Sequence, residues 1–251
     1  KYGDNLSAEH HHLIRDVDSC YLSSSLAVDL AKKYDADLHV FHLTTEKEME
    51  LFTSGMIDGK KITAEVCVHH MLLNDSYYPE LGNQIKCNPS IKTENDRQAL
   101  IKSLKEDKID IIATDHAPHT WDEKMQDYKD APAGLPLVQH GLQILMDFYH
   151  KDILSLETIV EKTSHNVAKR FQVKDRGYIR EGYYADLAVL DIDKSYEVTK
   201  ENILYKCGWS PFLGKTFPSS IYLTIVNGNI AFQDGEIIKD LPFGMQIEFD
   251  I

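Results

Sequence analysis

The chain has 251 residues, 43% hydrophobic and 27% charged, enough for one large soluble globular domain or a domain with an appendage. Its 27 basic and 40 acidic residues leave a formal charge of −13, which disfavours nucleic acid and acidic membranes as partners. No apolar run approaches the roughly 18–20 residues of a membrane span. The opening Lys1-Tyr2-Gly3-Asp4-Asn5 is polar and turn-like, unlike a secretory signal, and the absence of an initiating Met suggests a cut rather than a start. Four scattered cysteines (Cys20, Cys67, Cys87, Cys207) form no Cys-x-x-Cys pair and read as reduced thiols of a cytoplasmic protein.

Residues 18–34 carry Ala, Leu and Val at helical spacing behind Asp16 and Asp18. A short strand is expected over 38–42, followed by a helix over 46–51 capped by Thr45. A second strand is expected over 63–68. Thr93 is the expected N-cap of a helix over 94–105, with Asp96 in its first turn. The next strand, 109–114, runs into a polar loop at 120–133 that closes on Ala131-Pro132-Ala133-Gly134. Helical spacing returns over 137–150, 156–162 and 165–171. Strands alternating with helices indicate βαβ units around a parallel sheet.

Past residue 176 the pattern changes to β-branched runs at 186–191 and 221–226. Asn227-Gly228 signals a hairpin into Ile230-Ala231-Phe232, and Asp234-Gly235 another tight turn. The expected fold is therefore α/β: an incomplete barrel half over 1–175 and a small β module over 176–251. A full eight-stranded barrel needs roughly 250 residues for itself, which is why the barrel half looks partial.

The most informative stretch is Ile111-Ile112-Ala113-Thr114-Asp115-His116-Ala117-Pro118-His119. An apolar strand ends abruptly in a carboxylate and two imidazoles, and in (β/α) barrels catalytic groups stand at that end of the strands. Asp115 can bind a metal or move a proton, and His116 and His119 can bind metal or anion. His42 ends its own strand in the same way. His39 and His42 face opposite ways on an extended strand, so at most one points inward, and His42 is better placed. His69-His70 follow the 63–68 strand, where a hydrogen-bonded pair and a functional pair are both open readings. His10-His11-His12 cannot all face one site and read as a surface loop. Asn88-Pro89 is a turn or a substrate contact, with spacing favouring the turn. No Gly-x-Gly-x-x-Gly, Walker loop or Gly-x-Ser-x-Gly occurs.

Thr114-Asp115-His116-Ala117-Pro118-His119, with Asn88-Pro89 before it and Ala131-Pro132-Ala133-Gly134 after it, resembles the dihydroorotases of the amidohydrolase superfamily. His39-Val40-Phe41-His42-Leu43-Thr44-Thr45 resembles the family's fifth strand and Ala64-Glu65-Val66-Cys67-Val68-His69-His70 its sixth. Ser164-His165-Asn166 and Gly182-x-x-Ala185-Asp186-Leu187 resemble the return from barrel to sandwich. The resemblance implies the C-terminal part of a (β/α)8 TIM-like barrel over 1–175 and a β-sandwich segment over 176–251. It implies reversible cyclisation of N-carbamoyl-L-aspartate to L-dihydroorotate in pyrimidine synthesis, with one or two zinc ions.

By the same resemblance His42 and Asp115 are metal ligands, and Asp115 is also the catalytic proton shuttle. Asn88, His119 and the loop residues Ala131, Pro132 and Gly134 contact substrate. Two departures stand out. Ser90-Ile91-Lys92 replaces the family's Pro-Leu-Arg after Asn88-Pro89, removing an Arg fork. The family's His-x-His ligands and bridging Lys or Asp have no counterpart here, so the chain is expected to lack about the first four barrel strands and to be inactive alone. Expected partners are a small-molecule substrate, the missing N-terminal segment, a second copy in a homodimer, or aspartate transcarbamoylase. The rival readings are a hydantoinase- or allantoinase-like cyclic amidohydrolase and a non-catalytic dihydroorotase-like scaffold subunit of aspartate transcarbamoylase. A plain metal-binding module is disfavoured because His42 and Asp115 are far apart in sequence.

Overall fold

A computed structural model of the chain describes residues 5–238 and 244–250, so the polar opening at 1–4 lies outside it. The chain divides into two compact units, 1–141 with 203–213, and 142–202 with 214–251.

The first unit is built on a parallel sheet in the order β1 (Leu38–Val40), β2 (Ile62–Cys67), β3 (Ile111–Ala113). Helix α1 (Val17–Tyr34) precedes β1, its first turn capped by the Asp16 carboxylate, which accepts from the Ser19 N–H at 2.8 Å. The predicted helix after β1 is a single 3-10 segment, Lys47–Leu51. Thr45 still meets its first turn, the Thr45 Oγ1 accepting from the Glu48 N–H at 3.2 Å while the Glu48 carboxylate accepts from the Thr45 N–H. Helix α2 (Val68–Leu72) follows β2 without a loop, and α3 (Glu94–Lys105) starts at Thr93 in a capping box with Asp96.

β2 is the central strand, and it is buried on both sides because helices cover both faces of a parallel sheet. Ala64, Val66 and Cys67 are solvent-excluded and pack in a core with Ile109, Ile111, Leu100 and Leu104. Burying each of the larger side chains contributes about 1.5–3 kcal/mol. Register pairs Val40 with Ala64 and Cys67 with Ala113, so β2 and β3 end level, while β1, running the same way, stops opposite Ala64.

The second unit opens with α5 (Gly141–His150), the short α4 (Trp121–Lys124) having preceded it in the first unit. The two predicted short helices are one continuous helical run: α6 (Leu156–Val160), a π-helical turn Glu161–His165, and α7 (Asn166–Arg170). The β-branched runs form an antiparallel sheet in the order β4 (Leu187–Asp191), β7 (Ser220–Val226), β8 (Asn229–Gln233), β9 (Glu236–Ile237). A separate pair joins β5 (Tyr196–Glu197) and β6 (Thr216–Phe217). The hairpin turn is at Asn227-Gly228, both at positive φ (50° and 79°), as a two-residue primed turn requires.

The expected boundary at 175/176 therefore falls inside the second unit. The reason is packing: Gly177 lies so close to α7 that a Cβ there would stand 2.5 Å from the Ala168 Cβ, and the Val173 N–H donates to the Ala168 carbonyl. The helices of 156–170 pack with the residues C-terminal to them.

Candidate metal and substrate site

The three parallel strands deliver polar side chains at one edge and at a constant offset. His42 stands two residues beyond β1, His69 two beyond β2, and Asp115 two beyond β3. His42 and Asp115 leave their strands with positive φ (43° and 48°), a conformation uncommon outside glycine and often kept at functional sites.

Around His69 the interior is polar but unsatisfied. The ligand atoms of Cys67, His69 and His70 all lie within 4.8 Å of one another, and all three residues are buried. Both ring nitrogens of His69 and the Nδ1 atoms of His42 and His70 are buried without a hydrogen-bond partner. The His70 Nε2–H donates to the Pro89 carbonyl at 3.1 Å, which leaves Nδ1 as the lone-pair nitrogen. Burial lowers His69 to about 3, with His42 adding to the effect, and holds His70 well below the usual imidazole range. Both rings are thus neutral, the form that binds metal. Burial raises the Cys67 thiol well above its ordinary value, with Glu65 and Asp115 contributing in the same direction. Orphaned imidazole nitrogens beside a thiol fit a zinc-type ion, whose preferred ligands are nitrogen and sulfur.

His39 is otherwise employed: its ring nitrogens meet Thr63 Oγ1 at 2.8 Å and Glu65 Oε2 at 3.0 Å. Both histidines line an open cavity of about 600 Å³ with Arg15, Cys20 and Asn88, and what separates them is that the His42 Nδ1 is buried without a partner. Glu48 supports the turn after His42. Its buried carboxylate accepts from Ser24 Oγ and from the Thr44 and Thr45 N–H groups.

His116 takes a different role from the one its motif suggested. Its Nδ1 accepts from the Leu137 and Val138 N–H groups at 3.0 and 3.3 Å, fastening the loop. His119 leans on the 131–134 loop, its Nε2 meeting the Ala133 carbonyl at 3.2 Å, while its own carbonyl accepts from the Trp209 indole at 2.7 Å. Asp115 and Asn88 are exposed, Pro132 is half-buried, and Ala131 and Gly134 are buried. Gly134 sits at φ 140° where a Cβ would stand 2.4 Å from the Ala117 oxygen, so the Asp-His-Ala-Pro-His segment and the loop are in contact.

His11 is not a surface residue. It is 2% exposed, donates from Nε2 to the Cys87 carbonyl at 2.8 Å, and accepts at Nδ1 from the Tyr128 hydroxyl at 2.8 Å. Burial, above all, lowers it to about 4. Lys92, which replaces an Arg fork, is also buried and donates to the Ser90 carbonyl and hydroxyl. The residues the sequence left undecided are His69 and His70. Their signal was the shared offset from strand ends, which depends on knowing that β2 stops at Cys67.

The amidohydrolase family model matches residues 25–231. The chain belongs to the amidohydrolase family. Members of that family are typically metal-dependent, in keeping with the histidine and cysteine cluster. It is 36% identical over 205 residues to a dihydroorotase of Endomicrobium trichonymphae, covering 81% of this chain and 49% of that protein. It is 31% identical over 217 residues to the multifunctional protein pyr1-3 of Dictyostelium discoideum, covering 85% of this chain and 9% of that one. Among solved structures, an L-hydantoinase from Arthrobacter aurescens superposes with a TM-score of 0.79 at 24% identity, covering 89% of this chain and 51% of that chain. That likeness shows the fold. The chain spans about half the length of the curated dihydroorotases it matches. Among the described residues, no helix is long and apolar enough to cross a membrane.

Proposed function

We propose that this chain carries the C-terminal part of a (β/α)8 barrel and a β-sandwich segment of a dihydroorotase, which interconverts L-dihydroorotate and N-carbamoyl-L-aspartate. The observation that carries the reading is the delivery of His42, His69 and Asp115 at one offset from three neighbouring parallel strands. The domain division at 175/176 remains part of the proposal as a boundary between the barrel-derived sequence and the sandwich-derived sequence.

His42 and His69 would hold a zinc ion, with Asp115 completing this chain's share of the ligands. Bound there, the ion would supply Lewis-acid polarisation of the carbonyl and make water acidic near neutrality. In the hydrolytic direction Asp115 accepts a proton from water as its oxygen adds to the ring amide carbonyl carbon. The carbon–nitrogen bond then breaks and Asp115 returns the proton to the departing ring nitrogen. Asn88, His119 and the Ala131, Pro132 and Gly134 loop hold the substrate carboxylate and ureido groups.

The rest of the barrel would come from further polypeptide. Leu22, Leu26, Leu30 and Tyr34 form an exposed row at helical spacing on α1 (72%, 60%, 46% and 68%). Among the described residues no strand pairs with the outer edge of β1. An exposed apolar stripe beside an unpaired edge calls for a cover. A second copy and aspartate transcarbamoylase are further partners of the proposal, with the cytoplasm as the compartment.

The test uses the protein with any polypeptide that stays bound to it. Intact mass under denaturing conditions and zinc content are read beside turnover of L-dihydroorotate, a 5-substituted hydantoin and allantoin. Zinc with dihydroorotate turnover supports the reading. Turnover of hydantoin or allantoin alone replaces it with the rival cyclic amidohydrolase, and zinc-free protein without turnover supports the scaffold.

A further inference from the structure

Three lysines of the first unit, Lys86, Lys92 and Lys124, are buried with no ion-pair partner among the described residues, and two of them hold one loop. Lys124, the last residue of α4, is fully buried, and Lys86 is 9% exposed. An ammonium group has three protons to give. Lys124 Nζ uses all of them on backbone carbonyls, those of Lys86, Pro132 and Gly134, each at 3.0 Å. Lys86 Nζ donates to the carbonyls of Tyr128 at 2.6 Å and Ala131 at 2.5 Å.

Four consecutive carbonyls are consequently engaged. Ala131 accepts from Lys86, Pro132 and Gly134 accept from Lys124, and Ala133 meets His119 Nε2. The N–H groups divide differently. Ala131 donates to the Asp127 carbonyl and Gly134 to the Lys86 carbonyl, while Pro132 has no N–H to give. The Ala133 N–H is the one amide of this loop with no partner among the described residues.

We propose that Lys124 is a positioning residue that fixes the backbone of the 131–134 loop, the loop that the dihydroorotase reading places against the substrate. The identity of that substrate rests on the dihydroorotase reading. Burial lowers Lys124 to about 8, so near neutrality most of it remains the ammonium that the three carbonyls require. Lys124 touches no reacting atom. It acts through the backbone it holds, and Lys86 supports it by holding the Ala131 carbonyl at the start of the loop.

The experiment compares unsubstituted protein with Lys124→Met, both zinc-loaded and purified with any polypeptide that stays bound. Methionine fills the same volume and donates nothing. The expected result is a KM for L-dihydroorotate raised at least tenfold with kcat within about threefold, together with faster hydrogen exchange at Ala133 and Gly134 and unchanged exchange in β2. Faster loop exchange with KM within twofold would show a purely structural lysine and overturn the proposal, as would a fall in kcat alone. Should Lys124→Met not fold, Lys86→Met frees only the Ala131 and Tyr128 carbonyls and should raise KM about threefold; an unchanged KM then counts against the proposal. Should the unsubstituted protein not turn over dihydroorotate, the dihydroorotase reading fails by itself. The lysine is then judged by the calorimetric Kd for N-carbamoyl-L-aspartate, expected to weaken at least tenfold in Lys124→Met. Equal binding by both proteins, or binding by neither, overturns the proposal.

Discussion

At the N-terminal end of the parallel sheet, Asp110 is 1% exposed and both carboxylate oxygens are engaged, Oδ1 by Lys60 Nζ at 2.7 Å and Oδ2 by the Ala64 N–H at 3.0 Å. At the C-terminal end of the same strands, the Nδ1 of His42 and both nitrogens of His69 are buried with no partner. Unsatisfied buried polar atoms cost about 1–3 kcal/mol each, so they persist only where the surrounding structure holds them in place. The satisfied end supplies that rigidity. The comparison separates what keeps the sheet folded from what the sheet is for, and it does so along one set of strands, each only a few residues long.

The sharpest way to break this contrast is Asp115→Asn. On an exposed carboxylate the change should leave the unfolding midpoint within a degree or two while lowering turnover about 10²–10⁴-fold, the usual worth of a general acid–base group. A large drop in stability would move Asp115 to the structural side. Asp110→Ala should do the reverse. Removing the buried carboxylate from half-buried Lys60 and the Ala64 N–H should cost about 3 kcal/mol in denaturant titration, with zinc content of the folded fraction unchanged. Glu48→Gln tests a satisfied group at the functional end. Loss of the charge under three or more donors should cost about 2 kcal/mol and loosen the segment after His42, read by hydrogen exchange. The smallest effect is a pH slope. His11 is lowered to about 4 in the folded chain against 6.5 when unfolded, so below pH 6.5 the unfolded state takes up a proton that the folded state refuses. His11 should therefore subtract about 1.4 kcal/mol of stability per pH unit as pH falls from 6.5 toward 4, and nothing above 6.5. His11→Gln should flatten that slope; an unchanged slope would show that His11 is already protonated when folded.

Much of the fold was legible in the sequence because local chemistry decided it. Thr93 with Asp96, Asp16 ahead of α1, and Asn227-Gly228 each act through groups within three residues, and each does what its residues suggest. The candidate site was legible where one segment gathers several polar residues at a strand end, as at Asp115 and His119. It was not legible where function depends on segments meeting. Nothing local says that His116 lends its Nδ1 to the backbone of Leu137, or that Lys124 reaches the carbonyls of a loop eight and ten positions onward. His11 misled for the same reason: beside two other histidines it looks like surface, yet its partners Cys87 and Tyr128 are 76 and 117 residues away. The unit division also escaped composition, because the helices of 156–170 resemble barrel helices in sequence and differ only in what they pack against.

The chain has only two tryptophans, and both stand at the same place. Trp121 and Trp209 meet edge to face at 5.9 Å, and the Trp209 indole is tied to the carbonyl of His119. All indole emission from this protein therefore originates beside the loop that carries Asp115 and His119. An emission change on adding a ligand reports on that neighbourhood without any label. By the same token, a fluorescence-monitored melt tracks the detachment of this one corner, and its midpoint need not coincide with loss of helix seen by circular dichroism.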